Sequence, residues 1–231
     1  MANVMFDLLL QLPIFQGLSY AQLTEIVEKI PFDFARYNAG DVLYESGDRC
    51  EKMTFLLNGT VRLTTPTFGN KVQIIQEFDG PYLMPFYHLF GARTTERSLL
   101  ETVTTVGVLH FDKENFLHML QSNYVMLVNV MNILSTHAQH QHSLLEFSGQ
   151  SEPTLRLATW LLAFTDRMGQ NITIEAKVTD WCNMLQMDQS AFWRSISQLE
   201  NLHCIEVAGG KLKLTDRYGL KGYVSGKMVE V

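Results

Sequence analysis

Cysteine is scarce: Cys50, Cys182 and Cys204 lie far apart and are odd in number. That excludes a disulfide framework, and the spacing fits neither a zinc nor an iron–sulfur site. Long apolar runs are missing as well. The most apolar region, around residues 112–149, is interrupted by Gln121, Asn123, Asn129, Asn132, His137 and Gln139. It never reaches the block of about eighteen apolar residues that a membrane span requires. The N-terminus has no basic segment followed by a cleavage site, so the chain reads as a cytoplasmic protein kept in a reducing compartment. Positive charge is in short supply too, with a net charge of −6. The deficit is uneven. Residues 1–150 hold 9 Lys and Arg against 15 Asp and Glu, whereas residues 151–231 hold 9 against 9. Any nucleic-acid surface therefore belongs to the second part.

What is present centres on residues 112–149. Between Asn115 and Leu145 there is no Asp, Glu, Lys or Arg. Leu120, Tyr124, Leu127, Met131, Leu134, Ala138 and Leu145 recur at alternating spacings of four and three, with Gln141 in the one polar slot, which is a heptad seam. Asp112 is placed to cap such a helix and Gly149 to end it. A single helix of that extent spans roughly 50 Å, and its apolar stripe predicts a seam with a second copy of the chain. A core helix of a single chain is the alternative. His137, His140 and His142 have no cysteine or acid beside them and read as polar positions on a wet stretch of helix rather than as metal ligands.

Ahead of that region, Val4–Leu12 predicts a short apolar helix ended by Pro13. A second helix is predicted over 19–30, opened by a Ser19/Gln22 capping box with Leu18 stapling onto Leu23 and closed by Pro31. From Phe32 to Phe111 short β segments alternate with turns at Asn38-Ala-Gly-Asp41, Ser46-Gly-Asp48, Asn58-Gly59 and Phe68-Gly-Asn70. That spacing predicts a sandwich, barrel or jelly roll. Asn58-Gly59, between Met53–Leu57 and Thr60–Thr65, predicts a hairpin turn. The run Asp41-Val-Leu-Tyr-Glu-Ser-Gly-Asp48, followed by Phe55-Leu-Leu-Asn-Gly-Thr-Val-Arg-Leu63, resembles the β-roll of cyclic-nucleotide-binding domains.

Beyond Gly149, Ser151-Glu152-Pro153 opens a helix reaching Met168. A strand over Ile172–Glu175 follows, then helices over 179–185 and 188–201. A hairpin of Ile205–Val207 and Lys211–Leu214 turns around Ala208-Gly209-Gly210. This is a winged helix-turn-helix outline. Phe192, Ile196 and Leu199 mark the buried stripe of the last helix, and Asp188 is its N-cap. Ser190, Arg194 and Ser197 lie opposite, with Gln189 in the first turn. Arginine suits guanine O6 and N7, and glutamine the corresponding edge of adenine. The alternative is an interaction domain whose Arg194 is an ordinary surface cation.

The whole chain is similar to the Crp/Fnr family of bacterial transcription regulators. Asp188-Gln-Ser-Ala-Phe-Trp-Arg-Ser-Ile-Ser-Gln-Leu199 aligns without a gap on that family's recognition helix. The resemblance implies an α+β architecture. Residues 1–111 would form a jelly-roll-like β-roll sensor with N-terminal helices, residues 112–149 the dimerisation helix, and residues 150–231 the winged helix-turn-helix. It implies base reading by Gln189, Ser190 and Arg194. Lys177, Ser197, Lys211 and Lys213 are weaker candidates for phosphate contacts. It implies no enzyme activity. The implied partners are a second copy of the chain, a palindromic double-stranded DNA site, RNA polymerase and a small effector, with no membrane.

At the sensor the sequence departs from the family. Cyclic-nucleotide sites in the family pair Gly-Glu, for the ribose, with Arg-Ser or Arg-Thr, for the phosphate. Here Arg97-Ser98 is present, but no Gly-Glu precedes it in the 80–98 loop, which instead carries Tyr82, Phe86, Tyr87 and Phe90. Helix positions facing the base would hold Gln141 and His142. A missing carboxylate leaves a ribose hydroxyl unmatched, so the reading favours a different small effector, or none. The pocket candidates are Tyr82, Phe86, Tyr87, Arg97, Ser98, Gln141 and His142, and a filled β-roll core explains the aromatics equally well. No metal or iron–sulfur cluster is expected. A haem ligand (His88 or Cys50) and a cupin-like enzyme are disfavoured, the latter because the β region offers only His88 and His110 and no His-x-His pair. A β-roll ligand-binding or scaffold protein that no longer binds DNA is the remaining alternative.

Overall fold

The computed structural model describes residues 2–29, 31–148 and 152–229. They form α1 (Ala2–Gln11), a 3₁₀ turn (Pro13–Phe15), α2 (Tyr20–Lys29), β1 (Asp33–Tyr37), β2 (Val42–Tyr44), β3 (Lys52–Asn58), β4 (Thr60–Thr67) and β5 (Val72–Asp79). Then come β6 (Tyr82–Leu83), β7 (Leu99–Thr102), β8 (Val106–Asp112), α3 (Lys113–Ser122), α4 (Tyr124–Ser148), α5 (Pro153–Phe164) and β9 (Gln170–Ala176). Last are α6 (Val178–Leu185), α7 (Gln189–Asn201), β10 (Ile205–Ala208), β11 (Lys211–Leu214) and α8 (Arg217–Val229). The chain divides into two compact units, Met1–Arg62 with Phe78–Ala138, and Leu63–Glu77 with Gln139–Val231. The sequence drew its boundaries at 111 and 149. The structure groups the segment 63–77 with the second unit and divides α4 between the two. The mixed helix and antiparallel-sheet fold expected from the sequence is what the chain adopts.

In the first unit an antiparallel sheet has the strand order β1-β8-β3-β6, and β2 pairs with β7. Five consecutive residues of β3, Met53–Leu57, are buried, because this strand has neighbours on both edges and core on both faces. Phe15, Phe55, Phe111 and Phe116 fill the interior, with Phe55 and Phe111 edge-on at 5.1 Å. The capping box at α2 forms as read: Ser19 N–H donates to Gln22 Oε1 at 2.9 Å and Gln22 N–H to Ser19 Oγ at 3.3 Å. Leu18 and Leu23 share the same core.

Two expectations are corrected here. Asn58-Gly59 is not a hairpin turn, because β3 and β4 belong to different sheets. Gly59 takes φ +79, but Asn58 is not left-handed, and its Oδ1 instead accepts from Gly107 N–H at 3.1 Å. A type I′ turn needs both residues at positive φ, so the pair makes a corner between sheets. A Cβ on Gly59 would lie 2.5 Å from the Thr105 carbonyl oxygen, so only glycine fits there. The hairpin belongs to β4 and β5, around Phe68-Gly69-Asn70, all three at positive φ. The long helix is also two helices. Asn123 is extended at φ −133 and ends α3, and its Oδ1 accepts from Met126 N–H at 3.1 Å to start α4. Asparagine caps helices by this bond, which competes with continuing the helix through it. Asp112 occupies the N-cap position of α3 without a side-chain cap bond. Gly149, Ser151 and the side chains of His140 and Leu145 lie outside the described residues.

The second unit has the sheet order β10-β11-β9-β5-β4. Its core joins Val72 and Ile74 of β5 to Leu157, Leu161, Ile174, Trp181, Phe192, Ile196 and Leu199. The helix read as reaching Met168 stops at Phe164, and the strand after it runs from Gln170 to Ala176. Pro153 stands in the first turn of α5 as expected. Helix α8 was not anticipated. Its signal was Asp216, whose Oδ1 accepts from Gly219 N–H at 2.9 Å, but Gly219, Gly222 and Gly226 mask the helical pattern. Arg217 Nη2 donates to the carbonyls of Leu162 at 2.9 Å and Thr165 at 2.8 Å, closing the C-terminal end of α5.

Two stability predictions rest on named bonds. Asp188 Oδ1 accepts from Ala191 N–H at 2.7 Å, so Asp188→Ala should cost about 1 kcal/mol in chemical denaturation. His110 is buried between Thr54 Oγ1, 3.1 Å from Nδ1, and Tyr37 Oη, 3.4 Å from Nε2. Burial, and then Lys52, lower its pKa below 6.5, against the opposing pull of Asp33 and Asp112. The unfolded chain then takes up a proton that the folded chain declines, so this contribution is complete above about pH 6.5 and falls away as the pH drops through the folded value. Denaturation at pH 7 and pH 5 should show a smaller acid loss in His110→Asn than in the parent.

Candidate nucleic-acid interface

Helix α6 ends at Gln186, a left-handed C-cap with φ 50 and ψ 53 whose N–H donates to the Cys182 carbonyl. The chain reverses in the Gln186-Met187 turn, and Asp188 then starts α7. Ala191, Phe192, Ser195, Ile196 and Leu199 of α7 are buried. Trp181 stacks on Phe192 with ring centroids 6.0 Å apart and meets Trp160 edge-on at 5.0 Å, which fixes the two helices against α5. The rotation of α7 is thereby set, and Gln189, Ser190, Arg194 and Ser197 all face solvent.

Among the described residues, Arg194 makes neither an ion pair nor a hydrogen bond, so its five donors are uncommitted. It borders a groove of about 710 Å³ with Ser190, Trp193, Ser197, Gln198 and Tyr223. Trp193, 46% exposed on this face, was missed in the sequence because it flanks the Phe192 stripe and looks like part of it. A polar chain braces α7 at the border of this groove. Gln198 Nε2 donates to Tyr223 Oη at 3.2 Å, Tyr223 Oη donates to Glu152 at 2.9 Å, and Thr154 Oγ1 lies 3.0 Å from Gln198 Oε1. Burial and the Glu152 bond push the Tyr223 phenol up to about 12, so it remains the proton donor in this chain.

Strands β10 and β11 pair with Ala208 opposite Lys211, leaving Gly209 and Gly210 as a two-residue turn at φ 59 and 79. Both residues need positive φ in a turn of type I′, hence two glycines. Lys213 is exposed on β11, opposite Glu206. Lys211 Nζ lies 2.6 Å from Glu175, so part of its charge is already answered. Lys177 is the N-cap residue of α6 and is exposed.

The effector candidates fall in both units, and each has its own surroundings. Tyr82 stacks on Phe78 at 4.7 Å. Phe86 is buried and meets Phe116 edge-on at 6.2 Å, so it fills the core. Tyr87, half-exposed, stacks on His137 of α4 at 4.0 Å and 19°. Arg97 is exposed and Ser98 half-buried at the entry to β7. Gln141 and His142 fall in the second unit, where Gln141 Nε2 lies 3.4 Å from the Ala163 carbonyl. Cys50 is buried, and burial together with a hydrogen bond to Glu96 pushes its thiol up to about 12, which makes it a poor thiolate ligand. His88 is half-buried. Among the described residues no cluster of three or more His, Cys, Asp or Glu is placed to hold a metal ion, and no helix is long and apolar enough to cross a membrane.

On α4, Met126 and Val130 are buried in the first unit's core, while Asn129 Nδ2 donates to the carbonyls of Ile14 and Gln16. The opposite stripe is bare. Tyr124 is 77% exposed and Met131 58%, with Leu127, Leu134 and Ala138 exposed between and beyond them. Leu120, the first seam residue read from the sequence, lies on α3 and is buried.

Comparison with known proteins agrees with this architecture. Residues 34–123 match the family model of the cyclic nucleotide-binding domain. No curated protein sequence matches the chain. Among solved structures, the chain is similar to the catabolite activator protein of Thermus thermophilus, with 17% identity and a TM-score of 0.51, over 93% of this chain and 99% of that one. DNR from Pseudomonas aeruginosa shows 18% identity and a TM-score of 0.45 over 94% and 96%. A CooA mutant from Carboxydothermus hydrogenoformans shows 15% and 0.48 over 91% and 94%. The β-roll read from Asp41–Leu63 therefore lies within the segment that matches the cyclic nucleotide-binding domain, in a chain with the fold of a catabolite activator protein.

Proposed function

We propose that the protein is a homodimeric, sequence-specific DNA-binding transcription regulator of the Crp/Fnr type, biased by a small effector at its β-roll. The observation that carries this reading is the solvent-facing row Gln189, Ser190, Arg194 and Ser197 on a capped helix, beside a glycine-turned wing. Arg194 and Gln189 read base edges, and Ser190 is a third reader. Lys177, Lys213 and Ser197 hold phosphates, with Lys211 contributing less because Glu175 shares its charge.

The bare stripe on α4 supports the dimer. Tyr124, Leu127, Met131, Leu134 and Ala138 follow heptad spacing on the face turned away from the unit's own core. A contiguous apolar stripe of this kind marks a protein interface. Two copies joined there present two recognition helices, which read half-sites one helical turn apart in a palindrome. RNA polymerase is the partner such a regulator acts on. The effector is unidentified, and a cyclic nucleotide is disfavoured because the loop before Arg97-Ser98 has no Gly-Glu pair for a ribose.

Selection of duplexes from a random pool with the purified protein should return an inverted repeat. Arg194→Ala should weaken binding to that repeat by about 1–3 kcal/mol and relax preference at one base pair. Equal binding by parent and variant would remove Arg194 from the reading face, and selection of no duplex would leave a ligand-binding or scaffold role. In sedimentation, Leu127→Glu combined with Met131→Glu should be monomeric where the parent is dimeric, since two charges would be buried at the seam.

A further inference from the structure

Strand β5 is an integral member of the second unit's sheet. Val72, Gln73, Ile74 and Ile75 pair with Ala176, Glu175, Ile174 and Thr173 of β9. Gln76 is buried and its Oε1 accepts from Asp166 N–H at 2.6 Å, while Asn171 Nδ2 donates to Glu77 at 2.7 Å. This pairing carries the tip of the β4–β5 hairpin, Phe68-Gly69-Asn70-Lys71, to the recognition helix and the wing. The tip, β9, α6, α7 and the Gly209-Gly210 turn surround a groove of about 680 Å³. Lys71, Lys177 and Lys211 line it, with Glu175 as the one acid in the lining, in a chain whose net charge is −6. Trp193 lines both this groove and the one bordered by Arg194, so the two are neighbours across the exposed face of α7.

We infer that the β4–β5 hairpin tip is part of the DNA interface, with Lys71 contacting the phosphate backbone of a strand lying in this groove. The inference rests on the reading of α7 as a DNA-recognition helix. Charge selects the occupant: the three lysines around the cleft outnumber the acids beside them, Glu175 on Lys211 and Asp180 near Lys71, and with the uncommitted base-reading side chains they suit a polyanion that α7 already addresses. Lys71 is paired with one acid at the outer limit of ion-pair distance and stays largely exposed. Its Nζ stands 4.0 Å from Asp180 and 5.9 Å from the Phe68 ring centroid, and its side chain remains 59% exposed. A phosphate approaching the cleft finds that ammonium already extended.

The test uses the full-length protein and a duplex obtained by selection, with affinity followed by fluorescence anisotropy across a salt series. Lys71→Gln should weaken binding to the selected duplex and to a scrambled one alike, roughly tenfold or more at 0.1 M salt. It should also flatten the slope of log affinity against log salt by about 0.9 for each phosphate no longer neutralised. Lys71→Arg should keep the parental slope. Thermal unfolding of both variants separates a weakened interface from a damaged fold. Parental slope and affinity in Lys71→Gln would place the hairpin off the DNA while leaving the function proposed above intact. A loss confined to the selected sequence, with the slope unchanged, would mean that Lys71 acts by positioning α7, which also overturns the phosphate assignment. A parent protein that binds no duplex at any salt overturns both readings.

Discussion

The constraint on which the rest depends is that α4 is apolar on two sides and its own unit covers only one of them. Met126 and Val130 are spent on the core, and Asn129 fastens the helix to the 3₁₀ turn by two carbonyls. These contacts fix which residues point outward. Burying Tyr124 or Met131 as well would require rolling the helix and exposing the other side. The absence of charge from Asn115 to Leu145 agrees with this on the core side, where an ionised group would be desolvated without a partner.

The second unit solves a different problem, that of presenting one helix face with a fixed rotation. Aromatic packing does most of this. Trp160, Trp181 and Phe192 form a continuous set of ring contacts beneath α7, and the Thr154–Gln198–Tyr223–Glu152 chain ties its far end to α5 and α8. A small domain with a large aromatic core holds the surface side chains of its helices in a narrow range of positions. The exposed residues of α7 are then free to differ in identity without disturbing the fold.

Much of this was legible in the chain. The Ser19/Gln22 box, the Asp188 cap, the Phe192–Ile196–Leu199 stripe and the Gly209-Gly210 turn each rest on local physics, and each appears where the residues placed it. The departures came where partners are distant in sequence. Asn58-Gly59 is locally a hairpin signal, but Gly107 claims the Asn58 side chain and turns the pair into a corner. Asn123 read as one polar interruption among several, and its capping bond to Met126 divides the predicted rod. Nothing near residue 72 announces a strand partner about a hundred residues later, so the pairing of β5 with β9 was not legible. Of the candidate effector residues, Phe86 proved to be core and Tyr87 a stacking partner of His137, contacts that spacing alone does not reveal.

The β5–β9 ladder has a practical consequence for anyone dissecting this protein. A fragment beginning at residue 150 retains every helix of the winged fold but strips β9 of one of its two neighbours, leaving a row of unpaired amide and carbonyl groups on that edge beside the vacated seats of Val72 and Ile74. Such an edge recruits other chains. The shortest soluble piece carrying α7 should therefore be discontinuous, with the hairpin grafted back onto it.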